Sequence, residues 1–236
     1  MHGDAAVRKK LVAEFIGTFA LVFAGTGAIV IDEVAGGAVT HVGIALTFGL
    51  IVLAMIYTLG DISGAHINPA VTIGFWFSGR FAGRDVLPFV ASQCGGALTA
   101  SAILRFLFPQ NRLLGATLPA GPPWQSFVLE FILTAILMFV ILGVSTGAGE
   151  KGITAGIVVG SVIALEAMFA GPICGASMNP ARSLASAVVS IHLQNLWIYL
   201  AAPVAGALAG TFLCRCVQEK GCCRSELSPT FDASAI

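Results

Sequence analysis

The chain has 236 residues, of which 57% are hydrophobic and only 10% are charged, and its mean hydropathy is +0.92. Soluble domains carry about 25% charged residues, so the composition argues against a soluble enzyme. Twelve basic residues balance twelve acidic ones, which leaves no basic surface for nucleic acid and no acidic tail. Apolar residues recur along the whole length, and this predicts a multi-pass helical membrane protein rather than a single anchor or a cleaved signal peptide.

Six apolar stretches approach the length of about 20 residues that a membrane-spanning helix needs. In chain order they cover residues 11–31, 41–59, 86–108, 124–146, 153–170 and 196–216. Two further apolar segments, residues 68–77 and 179–189, are only about half as long as a span. These two segments are predicted to be interfacial helices or re-entrant half-helices buried against protein.

Charge placement predicts the orientation of the spans, because Lys and Arg concentrate in cytoplasmic loops. Six spans put both termini on one side of the membrane. Nine basic residues then share that side, and only Arg105 and Arg112 lie opposite; the nine are Arg8, Lys9, Lys10, Arg80, Arg84, Lys151, Arg215, Lys220 and Arg224. We therefore expect cytoplasmic N-terminal (1–10) and C-terminal (217–236) segments in a plasma (cell inner) membrane protein. Arg182 belongs to neither set.

The two halves of the chain resemble each other, which indicates an internal duplication. Three pairs of segments match in the same order, 110 to 116 residues apart: AEFIGTF and LEFILTA around Glu14 and Glu130, SGAHINPAV and CGASMNPAR around Asn68 and Asn179, and SQCGGALTA and APVAGALAG around Gly96 and Gly206. The repeats are residues 11–108 and 124–216, joined by an extracellular linker, 109–123. Each repeat has three spans, so the second crosses the membrane in the opposite sense, as an inverted 3+3 repeat.

The duplicated Asn-Pro-Ala segments are typical helix starts, since Asn is a good N-cap and Pro suits the first turn. They are Asn68-Pro69-Ala70 and Asn179-Pro180-Ala181. In an inverted repeat the two helix N-termini would meet near the bilayer midplane, and each carries about half a positive elementary charge. Such a pair would repel cations and hydronium. The Asn amides and the carbonyls of the preceding Gly-rich loops would offer donors and acceptors to a passing neutral molecule.

The paired segments SGAHINPAV and GASMNPARS resemble the signatures of the aquaporin, or major intrinsic protein, family, and the similarity extends over residues 8–216. The resemblance implies an all-α membrane protein with six transmembrane helices and two re-entrant half-helices. It also implies a homotetramer in the lipid bilayer with one pore per subunit and no cofactor. In this family four residues form the narrowest point of the pore, and they correspond here to Phe48, Ala167, Ala176 and Arg182.

These four positions imply a mixed selectivity. Water channels of the family usually have His where this chain has Ala167, so the aperture should be wider and admit larger neutral solutes. Glycerol facilitators, however, typically have Trp at the position of Phe48 and Asp at the position of Ser183. Residues at positions that separate subgroups resemble the nodulin-26-like branch and its prokaryotic relatives: Ser183, Ala187, Tyr199 and Leu200. That branch implies transport of water, glycerol and small hydroxylated species such as boric or arsenous acid.

Several other polar residues lie within the predicted spans and loops. Glu14 and Glu130 are expected to accept N–H bonds from the loop backbones, because an unpartnered carboxylate within a span is expensive. Glu166 has no counterpart in the other half, and it either bonds to a neighbouring helix or touches the pore. His66 either bonds within its loop or lines the pore entrance. The histidines have no metal-ligand spacing.

Two rival transport functions stay open on the sequence alone, besides a purely structural junction protein of this fold with a closed pore. One is a strictly water-selective channel. The other is a proton-coupled secondary transporter, since transporters also use inverted repeats and broken helices, and Glu166 is the only candidate for the coupling carboxylate. A membrane enzyme is disfavoured, because the sequence has no HExxH segment and no nucleophile elbow.

Overall fold

The computed structural model describes residues 2–145 and 149–217, and within them every regular element is an α-helix. The eight helices are α1 (His2–Val34), α2 (Thr40–Ser63), α3 (Pro69–Phe77), α4 (Gly83–Leu107), α5 (Pro123–Val144), α6 (Gly149–Cys174), α7 (Pro180–Ser190) and α8 (Leu196–Val217). All six long helices are apolar enough to cross a membrane. The predicted fold class, with six spans and two short helices, is confirmed. Of the predicted C-terminal segment, residues 218–236 lie outside the described residues, as does the Lys151 side chain.

The long helices extend past most of the predicted bounds because hydropathy detects only the apolar part of a helix. Helix α1 continues through the polar segment that includes Arg8 and Lys9, and α6 runs to Cys174 with Pro172 inside it. Proline is tolerated in membrane helices, where neighbouring groups satisfy the freed backbone. Helix α2 ends at the left-handed Gly64, whose φ is 89° and whose N–H bonds to the Gly60 carbonyl.

The two halves of the bundle are built by the same helix pairs. Helix α1 packs against α4 and α2, and the equivalent α5 packs against α8 and α6, while α2 and α6 join the halves. Gly96 of α4 lies against the Phe15 carbonyl of α1, and Gly206 of α8 lies against the Phe131 carbonyl of α5; a Cβ on either glycine would collide with that oxygen. Small residues let membrane helices approach to this distance. The contacts thus repeat in the two halves that the sequence relates.

Gly96→Ala is expected to destabilise the bundle, because its methyl group would meet backbone atoms that cannot rotate away. The neighbouring Gly95 provides a matched control, since a Cβ there would lie 3.5 Å from the Phe15 ring, an ordinary contact. We expect Gly96→Ala to lower the free energy of unfolding by about 1–3 kcal/mol. Gly95→Ala should leave it unchanged or raise it by up to about 1 kcal/mol, through helix propensity. Denaturant unfolding in detergent, followed by circular dichroism, measures both; equal values for the two variants would contradict the contact.

Candidate pore

The two short helices start at the same place in the bundle and face each other through their capping asparagines. Asn68 Nδ2 donates to the Met178 carbonyl at 2.8 Å, and Asn179 Nδ2 donates to the Ile67 carbonyl at 2.9 Å. Each Asn Oδ1 also caps its own helix, accepting from the N–H of Ala70 in α3 and from the N–H of Ala181 in α7. An amide carries two N–H donors, so each asparagine keeps one donor for the cavity that both of them line.

Two buried carboxylates hold the loops that precede these helices. Glu14 is fully buried and accepts four hydrogen bonds, from Ser63 Oγ (2.7 Å), His66 N (2.9 Å), Ile67 N (2.7 Å) and Gln93 Nε2 (2.7 Å). Glu130, also fully buried, accepts from the backbone N–H groups of Ser177 (2.7 Å) and Met178 (2.8 Å). Both carboxylates therefore accept N–H bonds from the backbone of the loops.

The loops need this support because they contain strained backbone at matching positions. Ala65 and Ile67 have φ of 45° and 44°, and Ala176 and Met178 have φ of 39° and 53°. The left-handed region costs a residue with a side chain about 1 kcal/mol or more. The carboxylate bonds offset this strain and fix the direction of the loop carbonyls, of which those of Ile67 and Met178 accept the Asn donors.

A cavity of about 120 Å³ runs along the two half-helix starts and has one polar and one apolar wall. The polar wall is formed by the two loops and by both capping asparagines. The apolar wall comes from α2 and α6, with Val52 and Val159 among its members, and from α1 and α5, with Leu21 and Leu137. A molecule in this cavity therefore meets hydrogen-bonding groups on one side and hydrocarbon on the other.

The four residues expected at the constriction all line this cavity. The Arg182 guanidinium carbon lies 5.5 Å from the centroid of the Phe48 ring, and the Arg182 side chain is 3% exposed. Its Nη1 has no hydrogen-bond partner within the described part of the chain, which leaves a donor for a molecule in the cavity. Ala167 and Ala176 supply only methyl groups to the same cavity.

Phe48 has its position because of a residue that sequence analysis did not identify. Gly25 of α1 lies directly against the Phe48 ring, and a Cβ at Gly25 would lie 2.6 Å from the ring Cζ and closer still to two other ring carbons. The sequence contains 28 glycines, so nothing in the pattern distinguishes this one. The space that Gly25 provides sets how far the ring can withdraw from the pore.

Two side-chain networks were also missed, and they occupy equivalent places in the two repeats. In the first half, Thr72 Oγ1 contacts His66 Nδ1 at 3.1 Å and Gln93 Nε2 at 2.9 Å. In the second half, Ser183 Oγ contacts Ser177 Oγ at 2.5 Å and accepts from Thr117 Oγ1 at 2.8 Å. The sequence does not show that these hydroxyl and amide groups contact each other, because several of the contacts join segments that are far apart along the chain.

His66 and Glu166, each of which had two interpretations from the sequence, differ in their surroundings. His66 fits both of its interpretations, since it bonds to Thr72 within the half-helix unit and also lines the cavity. Glu166 fits neither: it is 1% exposed, its neighbours Ile163 and Ala167 line the cavity without it, and neither carboxyl oxygen has a hydrogen-bond partner in residues 2–145 and 149–217. No group of residues able to hold a metal ion occurs among those searched in the described chain.

Gly25→Ala is expected to push the Phe48 ring towards the pore, because the new methyl group takes the place of ring atoms. Flux of a three-carbon solute such as glycerol should fall more than flux of water. Gly27→Ala is the control on the same helix, since the nearest atom to its Cβ would lie 3.4 Å away on Leu104. Stopped-flow light scattering on reconstituted vesicles measures both fluxes. An unchanged ratio of glycerol to water flux in Gly25→Ala would contradict this placement of the ring.

Comparison with known proteins agrees with the geometry. Residues 2–214 match the family described as major intrinsic protein. Aquaporin NIP1-3 of Oryza sativa subsp. japonica is 46% identical over 207 residues, which are 86% of this chain and 72% of that protein. Nodulin-26 of Glycine max is 46% identical over 206 residues, or 87% and 76% of the two chains. The X-ray structure of the aquaglyceroporin from Plasmodium falciparum matches with a TM-score of 0.79 at 26% identity, covering 88% of this chain and 95% of that one. This chain therefore belongs to the major intrinsic protein family, as a multi-pass membrane channel for water and small neutral solutes that is similar to the plant nodulin-26-like aquaporins.

Proposed function

We propose that this channel conducts glycerol as well as water, and boric or arsenous acid in addition, while it excludes protons and ions. The observation that carries the proposal is the pairing of a two-sided cavity with the small residues Ala167 and Ala176 at the expected constriction. Glycerol has a hydrocarbon face and a hydroxyl face, which match the apolar and polar walls. The hydroxyls can accept from Asn68, Asn179 and Arg182 and can donate to loop carbonyls.

Exclusion of cations follows from the charges around the cavity. The N-termini of α3 and α7 each contribute about half a positive charge at the asparagine pair, and Arg182 adds a full charge nearby. A guanidinium that lines a pore repels cations and still donates hydrogen bonds to a hydroxyl. A cation would therefore lose its hydration shell without gaining a counter-charge from the residues that bond to the solute.

A strictly water-selective channel is the alternative, and one observation favours it. The Arg182 guanidinium lies over the Phe48 ring, so these two large side chains occupy one side of the constriction together. If they stay in that position during conduction, they restrict the aperture despite the small Ala167. A proton-coupled transporter is less well supported, because Glu166 does not line the cavity.

We further propose that both termini are cytoplasmic and that the protein is a homotetramer with a pore in each subunit. The orientation is supported by contacts between basic residues and helix ends: Arg80 Nη1 bonds to Ser145 Oγ, just past the end of α5, and Arg215 Nη2 bonds to the Phe77 carbonyl at the end of α3. These bonds bring Arg80 and Arg215 to one end of the bundle. Arg105 instead bonds to the Asn111 carbonyl in the linker.

A permeability panel tests the proposed solute range. Vesicles containing the protein should pass water, glycerol and boric acid faster than empty vesicles, with glycerol flux that rises linearly with concentration and ignores a pH gradient. Urea serves as a neutral solute that carries N–H rather than O–H donors. Water flux alone would support the water-selective alternative. Counterflow, saturation or a dependence on the pH gradient would support the transporter.

The width of the aperture can be tested by Ala167→His. Imidazole is far larger than a methyl group, so it should narrow the constriction beside Arg182 and depress glycerol flux more than water flux. Ser161→His is a suitable control: Ser161 also lies on α6, but it is exposed on the outer surface of the bundle and does not line the cavity. Both fluxes are measured by stopped flow in the same vesicles. Equal loss of the two in Ala167→His would count against Ala167 as a lining residue of the constriction.

A further inference from the structure

We infer that His66 presents a fixed hydrogen-bond acceptor, its Nε2 atom, to the pore, and that Glu14, Gln93 and Thr72 together position the proton on the other ring nitrogen. The inference deepens the proposed function and rests on it, because it assigns a hydrogen-bonding polarity to one half of the same cavity. It depends on an order of donors and acceptors that can be followed from one residue to the next.

The first step fixes the amide of Gln93. All four hydrogen bonds at Glu14 come from donors, and the Gln93 contact at 2.7 Å is one of them. A carboxylate only accepts, so the amide atom that faces it must be the nitrogen. The same nitrogen lies 2.9 Å from Thr72 Oγ1, and its second N–H therefore points at that hydroxyl. Thr72 Oγ1 must accept from Gln93.

The second step follows from the hydrogen-bonding capacity of a hydroxyl group, which donates one proton and accepts through two lone pairs. Thr72 Oγ1 makes three contacts: Gln93 Nε2, the Asn68 carbonyl at 3.1 Å and His66 Nδ1 at 3.1 Å. Gln93 takes one lone pair. The Asn68 carbonyl cannot donate, so it takes the single proton. The remaining lone pair can only accept a proton from His66 Nδ1.

The opposite assignment places two oxygen atoms against each other without a proton between them, although the Asn68 carbonyl keeps the Thr72 backbone N–H as a donor at 3.0 Å. If Thr72 gave its proton to His66 Nδ1, its oxygen would face the Asn68 carbonyl at 3.1 Å with lone pairs on both atoms and no hydrogen between them. Thr72 and Gln93 are both 0% exposed, so no solvent could correct that contact. The arrangement in which Nδ1 carries the proton satisfies every contact of the hydroxyl.

The imidazole is held in one orientation. The nitrogen that carries the proton therefore determines whether the ring presents a donor or an acceptor to the pore. The ring stacks on Phe75 with centroids 4.7 Å apart, and the rings of Phe81 and Phe89 lie 4.9 Å and 5.3 Å away. These contacts prevent the ring from turning over. The edge that carries Nε2 lies beside Gly64, and both residues line the cavity. A neutral imidazole with its proton on Nδ1 has a bare Nε2, so the group facing the cavity is an acceptor.

The second repeat has no imidazole at the equivalent position. Ser177 stands where the first repeat has His66, and its hydroxyl donates to the Asn179 carbonyl at 3.0 Å. Ser177 also lines the cavity, but its hydroxyl is engaged within this network and presents no imidazole nitrogen. A solute passing the His66 half can therefore donate a hydrogen bond to Nε2, while Arg182 in the other half offers one. Polyols and undissociated hydroxy acids meet both requirements, since a hydroxyl both donates and accepts.

Solid-state ¹⁵N NMR of histidine-labelled protein in vesicles tests this inference directly. The chain has four histidines, and His66→Gln identifies the His66 signals by their loss. We expect a protonated Nδ1 and a bare Nε2 at His66. A proton on Nε2 with a bare Nδ1, or protons on both nitrogens, would overturn the inference.

Variants of Thr72 test the route by which the proton is positioned. Thr72→Val removes the hydroxyl at nearly constant volume and should move the proton to Nε2, whereas Thr72→Ser should keep it on Nδ1. Glycerol flux should fall about two- to tenfold in Thr72→Val, the value of one hydrogen bond, and stay unchanged in Thr72→Ser. A proton that stays on Nδ1 in Thr72→Val would refute the role of Thr72. If Thr72→Val does not assemble, Thr72→Ala takes its place.

The inference and the proposed function can fail separately. Vesicles that conduct glycerol but carry an Nε2 proton at His66 would overturn the inference and leave the proposed channel intact. Vesicles with the expected Nδ1 proton but no glycerol flux would overturn the proposed solute range and leave the positioning of the proton intact.

Discussion

The structure depends on one constraint: the loop backbone inside this membrane protein is not helical, so its N–H and C=O groups need other hydrogen-bond partners. Lipid offers no hydrogen bonds, so such backbone is tolerated only where protein or a wet cavity satisfies it. Glu14 and Glu130 meet this constraint by accepting the N–H groups of loop residues on either side of the pore centre. The carbonyls of the same loops are then free to accept from Asn68 and Asn179. The pore is thus a consequence of how two interrupted helices are completed.

Close packing of backbones gives this arrangement its rigidity. Where Gly96 and Gly206 meet carbonyl oxygens of α1 and α5, there is no side chain that could yield. The helices that carry Glu14 and Glu130 are therefore held at fixed distances from the helices that complete each repeat. Gly49 and Gly160 make a similar mutual contact between α2 and α6, the two helices that supply Phe48 and Ala167. The distance between Phe48 and Ala167 therefore depends on this backbone separation as well as on the two side chains.

The sequence predicts the parts of this architecture that have a strong local or repeated pattern. Apolar length predicts all six spans, and the two Asn-Pro segments predict the starts of α3 and α7, because capping and first-turn proline are local effects. The duplicated Glu14 and Glu130 predict paired supports. The sequence could not predict Gly25 behind Phe48 or the Thr72–Gln93 contact, since these depend on distances between helices. The position of Glu166 could not be predicted either, because a single carboxylate without a counterpart in the other repeat belongs to no pattern that shows where its side chain points.

The two repeats share their strained backbone but differ in the groups that surround it. This difference makes the two halves of the pore chemically unequal. The segment match places Pro203 opposite Gln93, so Glu130 has no amide donor of that kind and the second network is completed by Thr117 from the linker. In the first half, the Glu14 carboxylate therefore accepts from four donors and the His66 imidazole lies at the cavity. The other half combines a chain of hydroxyls with a guanidinium. Duplication explains why both halves can hold a half-helix, and the later divergence of these few residues explains why a solute meets an acceptor in one half and a donor in the other.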